Sequence, residues 1–143
     1  MTRQSVALDG SGGCIAEARR LATAFLARAG AEHGLSVSDR AVSMAQLVVS
    51  ELVTNARKYA PGPLLMELGI APAWVEVVVW DSAPVLPVAQ AADPGRVGQH
   101  GLEIVMAVVQ SFDVRREAVG KRITVRIALQ DDPEGDLVQR PLS

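Results

Sequence analysis

Three residues able to do chemistry stand at helical spacing in the middle of the chain: Glu51, Asn55 and Lys58. Steps of four and then three residues bring side chains to one edge of an α-helix, because each residue advances by about 100°. On a wheel drawn over 38–59, Ser43, Gln46, Ser50, Thr54 and Arg57 form a narrow polar stripe. Ala45, Val49, Leu52, Val53 and Ala56 form a broad apolar face. The stripe is expected to be solvated and the apolar face buried. Glu51, Asn55 and Lys58 belong to neither, and Met44, Leu47 and Val48 lie along the same border nearer the helix start. A carboxylate beside apolar walls has its pKa raised and can take a proton from a nucleophile. An amide oxygen suits magnesium, which prefers oxygen ligands and keeps several waters. An ammonium nearby can neutralise phosphate charge. A solvated helix edge carrying a Glu and a Lys accounts for the same three residues equally well, so the border alone does not decide.

Two further features add weight. Trp74-Val75-Glu76-Val77-Val78-Val79-Trp80 is a run of β-branched and aromatic residues, and it ends on Asp81. A carboxylate at a strand end, facing a loop, can accept a hydrogen bond from an exocyclic amine; a turn-forming aspartate is the plainer alternative. Gly95-Arg96-Val97-Gly98-Gln99-His100-Gly101 then leads into an expected helix. Glycine-rich backbone feeding a helix N-terminus favours an anion, through free N–H groups and the helix dipole.

The elements that must hold these residues follow from periodicity and breakers. Residues 3–8 alternate as a short strand. Ile15, Ala18, Ala22, Phe25, Leu26 and Ala29 recur at helical steps, with Gly30 and Gly34 closing that helix. Ser38 caps a second helix that runs to about Tyr59, where Pro61-Gly62-Pro63 stops it. Residues 64–70 and 73–81 read as strands, 82–99 as a long loop, and 100–110 as a third helix. Residues 111–117 and 121–129 read as two more strands. In the last, Ile123, Val125, Ile127 and Leu129 alternate with Arg122, Thr124, Arg126 and Ala128, so one face is buried. Strands in consecutive pairs favour an α+β layer, with helices on one sheet face, over an alternating parallel fold. Residues 1–130 are expected to form a single domain and 131–143 a flexible tail.

Composition excludes several classes of function. Of 143 residues, 49% are apolar and 21% charged, which is ordinary for a folded domain and too apolar for disorder. The formal charge of −2 argues against affinity earned by neutralising a nucleic-acid backbone. One cysteine, Cys14, precludes an internal disulfide and fits a reducing compartment, and two histidines give no zinc site. No stretch reaches the length of a membrane span, and the first residues lack the apolar core of a signal peptide. A soluble, cytoplasmic protein is expected, with no direct nucleic-acid or membrane contact.

Glu51-Leu52-Val53-Thr54-Asn55-Ala56-Arg57-Lys58-Tyr59-Ala60 resembles the N box of the Bergerat-fold (GHKL) ATPases, the superfamily of gyrase, histidine kinases and MutL. Asp81 is similar to the start of the G1 box. Gly98-Gln99-His100-Gly101-Leu102-Glu103-Ile104-Val105 resembles the G2 box that ends the ATP lid, and Gly120-Lys121 the short terminal box. The small size and the Asp81-Ser82-Ala83-Pro84 wording are similar to one branch, the anti-sigma-factor serine kinases.

That resemblance implies a two-layer α/β sandwich, with helices on one face of a mixed, mostly antiparallel sheet. It implies ATP and Mg²⁺ as cofactors, Glu51 as general base, and Asn55 as ligand of the metal. Lys58 would lie near ribose or phosphate, and Asp81 would accept the adenine amine. Gly98, Gly101 and Leu102 would bring backbone against the phosphates, with His100 and Arg96 as further lid contacts and Thr124 on the adenine side. The implied activity is serine/threonine protein kinase activity on a STAS-type anti-sigma-factor antagonist, with sequestration of a sigma factor. A homodimer is a further expectation. The alternative is a nucleotide-gated binding module with little catalysis. Two departures bear on this: Ala83 stands where the wider superfamily has the G1 glycine, and Gln99 where G2 has its first glycine.

Overall fold

The computed structural model describes residues 1–59, 62–82 and 109–130. Its elements run β1 (Thr2–Leu8), α1 (Cys14–His33), α2 (Asp39–Tyr59), β2 (Leu64–Ile70), β3 (Trp74–Asp81), β4 (Ser111–Arg116) and β5 (Lys121–Ala128). The expected third helix over 100–110 lies almost wholly outside the described residues, and its last two, Val109 and Gln110, form a bend into β4. The lid positions Arg96, Gly98, His100, Gly101 and Leu102, and the tail 131–143, also lie outside them.

The strands form one sheet in the order β1-β2-β3-β5-β4. Every described pairing is antiparallel, so the parallel component of a mixed sheet is not found among these residues. The reason is geometric. Two helices, not one, separate β1 from β2: α1 carries the chain away from the end where β1 stops, and α2 carries it back. β2 therefore starts beside the end of β1, with Leu8 opposite Leu64, and must run the other way.

Both helices cover one face of the sheet. Alternation delivers Leu64, Met66, Leu68 and Ile70 of β2, Val75, Val77 and Val79 of β3, and Ile123, Val125 and Ile127 of β5 to that face. There they meet Ala18, Ala22, Phe25, Leu26 and Ala29 of α1, and Ala45, Val48, Val49, Leu52, Val53 and Ala56 of α2, all buried. The apolar face expected for α2 is thus the one that is buried. Ser38 caps the helix as expected, its Oγ accepting from the Ala41 N–H at 3.0 Å.

Two expectations are corrected. Gly30 does not close α1; the helix continues to His33, and Gly34 follows as its C-cap. A Cβ on Gly30 would crowd Val37 and the Leu35 carbonyl, so the glycine serves close packing of the chain that leaves the helix. The polar stripe of α2 is not simply solvated. Ser43 is exposed, but Gln46, Ser50, Thr54 and Arg57 are half-buried. Gln46 Nε2 donates to Thr23 Oγ1 of α1 at 3.0 Å, and Arg57 Nε to the Gly10 carbonyl at 3.1 Å.

The opposite face of the sheet is a ladder of charges. Glu76 accepts from Arg3 at 2.8 Å and Arg126 at 3.2 Å, and the Arg126 guanidinium lies 4.5 Å from the Trp74 ring centroid.

Candidate functional site at one end of the sheet

The direction of α2 decides where its border residues go. At its start, the Ser38 N–H donates to the Leu129 carbonyl, just past the end of β5. In its last turns, Arg57 reaches Gly10, just past the end of β1. The second half of α2, with Glu51, Asn55 and Lys58, therefore lies at the sheet end where β1 and β3 finish and β2 and β5 begin. Asp81 is the last residue of β3 and sits at that same end. It shares the strand parity of Val75, Val77 and Val79, so its side chain faces the helical layer. The fold thus brings Glu51, Asn55, Lys58 and Asp81 to one end and one side of the sheet.

Each is held differently. Glu51 is half-buried at the edge of the apolar face, and desolvation pushes its carboxyl above the ordinary glutamate value. Asn55 is half-exposed as a residue, yet its Nδ2 is buried and finds no hydrogen-bond partner among the described residues. Amides left so are few in folded proteins and call for an explanation such as a ligand, an ion or water. Lys58, in the last turn, is exposed.

Asp81 is fully buried and ion-paired. Lys121, the first residue of β5, stands directly opposite it in the register. The Lys121 ammonium is 2.9 Å from Oδ1 and 2.9 Å from Oδ2 of the same carboxylate. The turn that delivers Lys121 depends on Gly120, whose φ is 78° and where a Cβ would collide with the Asp81 carbonyl. Sequence reading passed over Lys121 as a functional residue. A signal was available: in β5 it occupies the inward parity of Ile123, Val125 and Ile127, where a lysine is out of place without a partner.

Thr124 is not brought to this site. It pairs with Val78 and shares the parity of Arg122 and Arg126, so it points to the charged face of the sheet, away from α2. The strand alternation that buries Ile123 and Val125 excludes Thr124 from the side where Asp81 lies. Gly98, His100, Gly101 and Leu102 lie outside the described residues.

Comparison with known proteins agrees with this arrangement. The family profile described as "Histidine kinase-like ATPase domain" matches residues 14–127. The chain belongs to that family, and its α+β fold, with two helices on one face of an antiparallel sheet, is the Bergerat (GHKL) architecture. No curated protein matches the chain. Among solved structures it resembles the RsbU and RsbW domains of Rv1364c from Mycobacterium tuberculosis, with a TM-score of 0.66 and 18% identity over 92% of this chain. It spans 34% of the length of that structure. It also resembles the Acinetobacter baumannii histidine kinase AdeS, with a TM-score of 0.51 and 12% identity, covering 92% of this chain and 70% of that one. No helix among the described residues is long and apolar enough to cross a membrane.

Proposed function

We propose that the chain is an ATP-binding, anti-sigma-factor-like serine/threonine protein kinase, which phosphorylates a STAS-type antagonist and sequesters a sigma factor in the cytoplasm. The observation that carries the reading is the pairing, on one helix edge, of a desolvated carboxylate at Glu51 with an unpartnered buried amide at Asn55. Membership of a histidine kinase-like ATPase family and likeness in fold to a structure containing an RsbW domain support it.

The residues present fit magnesium ATP. Among the described residues no group of three or more His, Cys, Asp or Glu could hold a metal by itself. A magnesium ion would therefore be held by the Asn55 side-chain oxygen together with the nucleotide's own phosphate oxygens, in keeping with its habit of few protein ligands. Bound Mg-ATP would supply the phosphoryl group and neutralise charge as it transfers. Glu51, raised by its apolar surroundings, would accept the proton of the substrate serine hydroxyl. Asp81 lies at the base end and Lys58 at the helix end nearer the sugar and phosphates. A phosphate on the antagonist would then disrupt its docking through charge and desolvation.

The test is to mix the protein with labelled ATP, magnesium and a panel of STAS-type antagonist proteins. Labelled serine in one of them is the expected result. Tight nucleotide binding with no transfer to any would replace the kinase by a nucleotide-gated binding module. No nucleotide binding would remove both.

A further inference from the structure

Asp81 and Lys121 are 1% and 0% exposed, and they form a closed pair at the base end of the site. With Nζ 2.9 Å from each carboxylate oxygen, the ammonium straddles the carboxylate. It occupies the position from which a donor in the carboxylate plane would reach both oxygens at once. A neutral amine arriving there competes with a full charge in a poorly solvated setting, where attraction between ions is strong. It can share an oxygen but gains little from a carboxylate whose charge is already answered.

We propose that Lys121 is the specificity-determining residue at the base end: by straddling Asp81 it removes most of the site's preference for a base carrying an exocyclic amine. This rests on the nucleotide-binding reading above. Asp81 without the ammonium would read the amine through a charge-assisted hydrogen bond, worth roughly tenfold or more in affinity. With Lys121 in place, that discrimination falls away, and the triphosphate end carries the affinity.

The experiment is calorimetric titration of the full chain with Mg-ATP and with Mg-purine riboside triphosphate, which differs from ATP only in lacking the 6-amino group. The wild type is expected to bind the two within about threefold of each other. Lys121→Met is expected to prefer ATP by roughly tenfold or more. Because that variant strands a buried carboxylate, a second one, Asp81→Asn with Lys121→Met, removes both charges. It offers an amide oxygen with no ammonium on it and is expected to prefer ATP more than the wild type does. A wild type that already prefers ATP by roughly tenfold overturns the proposal, as does a wild-type ratio in the folded variants. Those results leave nucleotide binding intact. No binding of either nucleotide by the folded wild type and variants overturns the nucleotide reading and this proposal together.

Discussion

The helix edge and the strand end of the site hold their carboxylates in opposite ways. Glu51, on α2, is half-buried, and desolvation alone is the cause of its raised pKa. Among the described residues no cation answers it. Asp81, on β3, is wholly buried and answered by an ammonium at 2.9 Å. The difference follows from the elements. A helix edge at the margin of a core leaves a side chain partly in water and partly against apolar walls, with no neighbour imposed on it. An antiparallel register imposes one, and Lys121 is placed opposite Asp81 by backbone pairing. A carboxylate that must take a proton needs an unclaimed lone pair, and one that fixes geometry needs its lone pairs filled. The first belongs at the helix edge and the second at the strand end.

The most direct way to break this comparison is at Glu51. Glu51→Gln keeps the shape and removes the proton acceptor. Phosphoryl transfer is expected to fall by ~10²–10⁴-fold with Mg-ATP affinity little changed. Single-turnover transfer measured beside calorimetric binding checks it, and a variant with full transfer would place the proton acceptor elsewhere.

At the strand end the large effect is on stability instead. Lys121→Ala leaves the Asp81 charge buried without its cation and is expected to cost about 3–5 kcal/mol of unfolding free energy. Asp81→Asn with Lys121→Met strands no charge and is expected to cost much less. Urea unfolding of the two measures the gap. If both lose the same amount, the pair contributes by packing and not by charge.

Asn55 sharpens the comparison from the other side. Its buried, unpartnered Nδ2 costs stability in the absence of a ligand, by roughly 1–3 kcal/mol for such a group. Asn55→Leu, close in volume and apolar, is expected to raise stability by about 1 kcal/mol while removing measurable Mg-ATP binding. A variant that loses stability and still binds Mg-ATP would take Asn55 out of the metal's coordination.

What could be read from the residues alone was whatever is local. The start of α2 at Ser38 and the stop before Pro61 follow from capping and breaker chemistry, and β2 spans the expected 64–70. The border position of Glu51 and Asn55 was legible because helical spacing is a property of one segment. Lys121 was not legible as a partner of Asp81, because their pairing needs β5, not β4, to lie beside β3. That order is set by packing among distant segments. The polar stripe of α2 misled for the same reason: Gln46 and Arg57 are polar, but their partners Thr23 and Gly10 come from elsewhere in the chain. Thr124 is a different case. Its outward parity was legible in the alternation of β5, and motif resemblance was followed over it.

The smallest expected effect tests the premise about Glu51 directly. Burial raises its carboxyl pKa above the ordinary value of 4.5, so the folded protein holds that proton more tightly than the unfolded chain does. Proton release therefore favours unfolding. The wild type should lose stability, relative to the non-titrating Glu51→Gln, as pH rises from about the ordinary value through the raised one. Above that window the difference should level off with the glutamine variant the more stable. Because the group is partly solvated, the gain should be within about 0.5 kcal/mol. Unfolding free energies of the pair at pH 4 and pH 8 supply the check, since other titrating groups cancel in the difference. A difference that does not change with pH would mean that Glu51 titrates as it does in water. It would then be no better a base than a surface glutamate, and the contrast with Asp81 would reduce to burial alone.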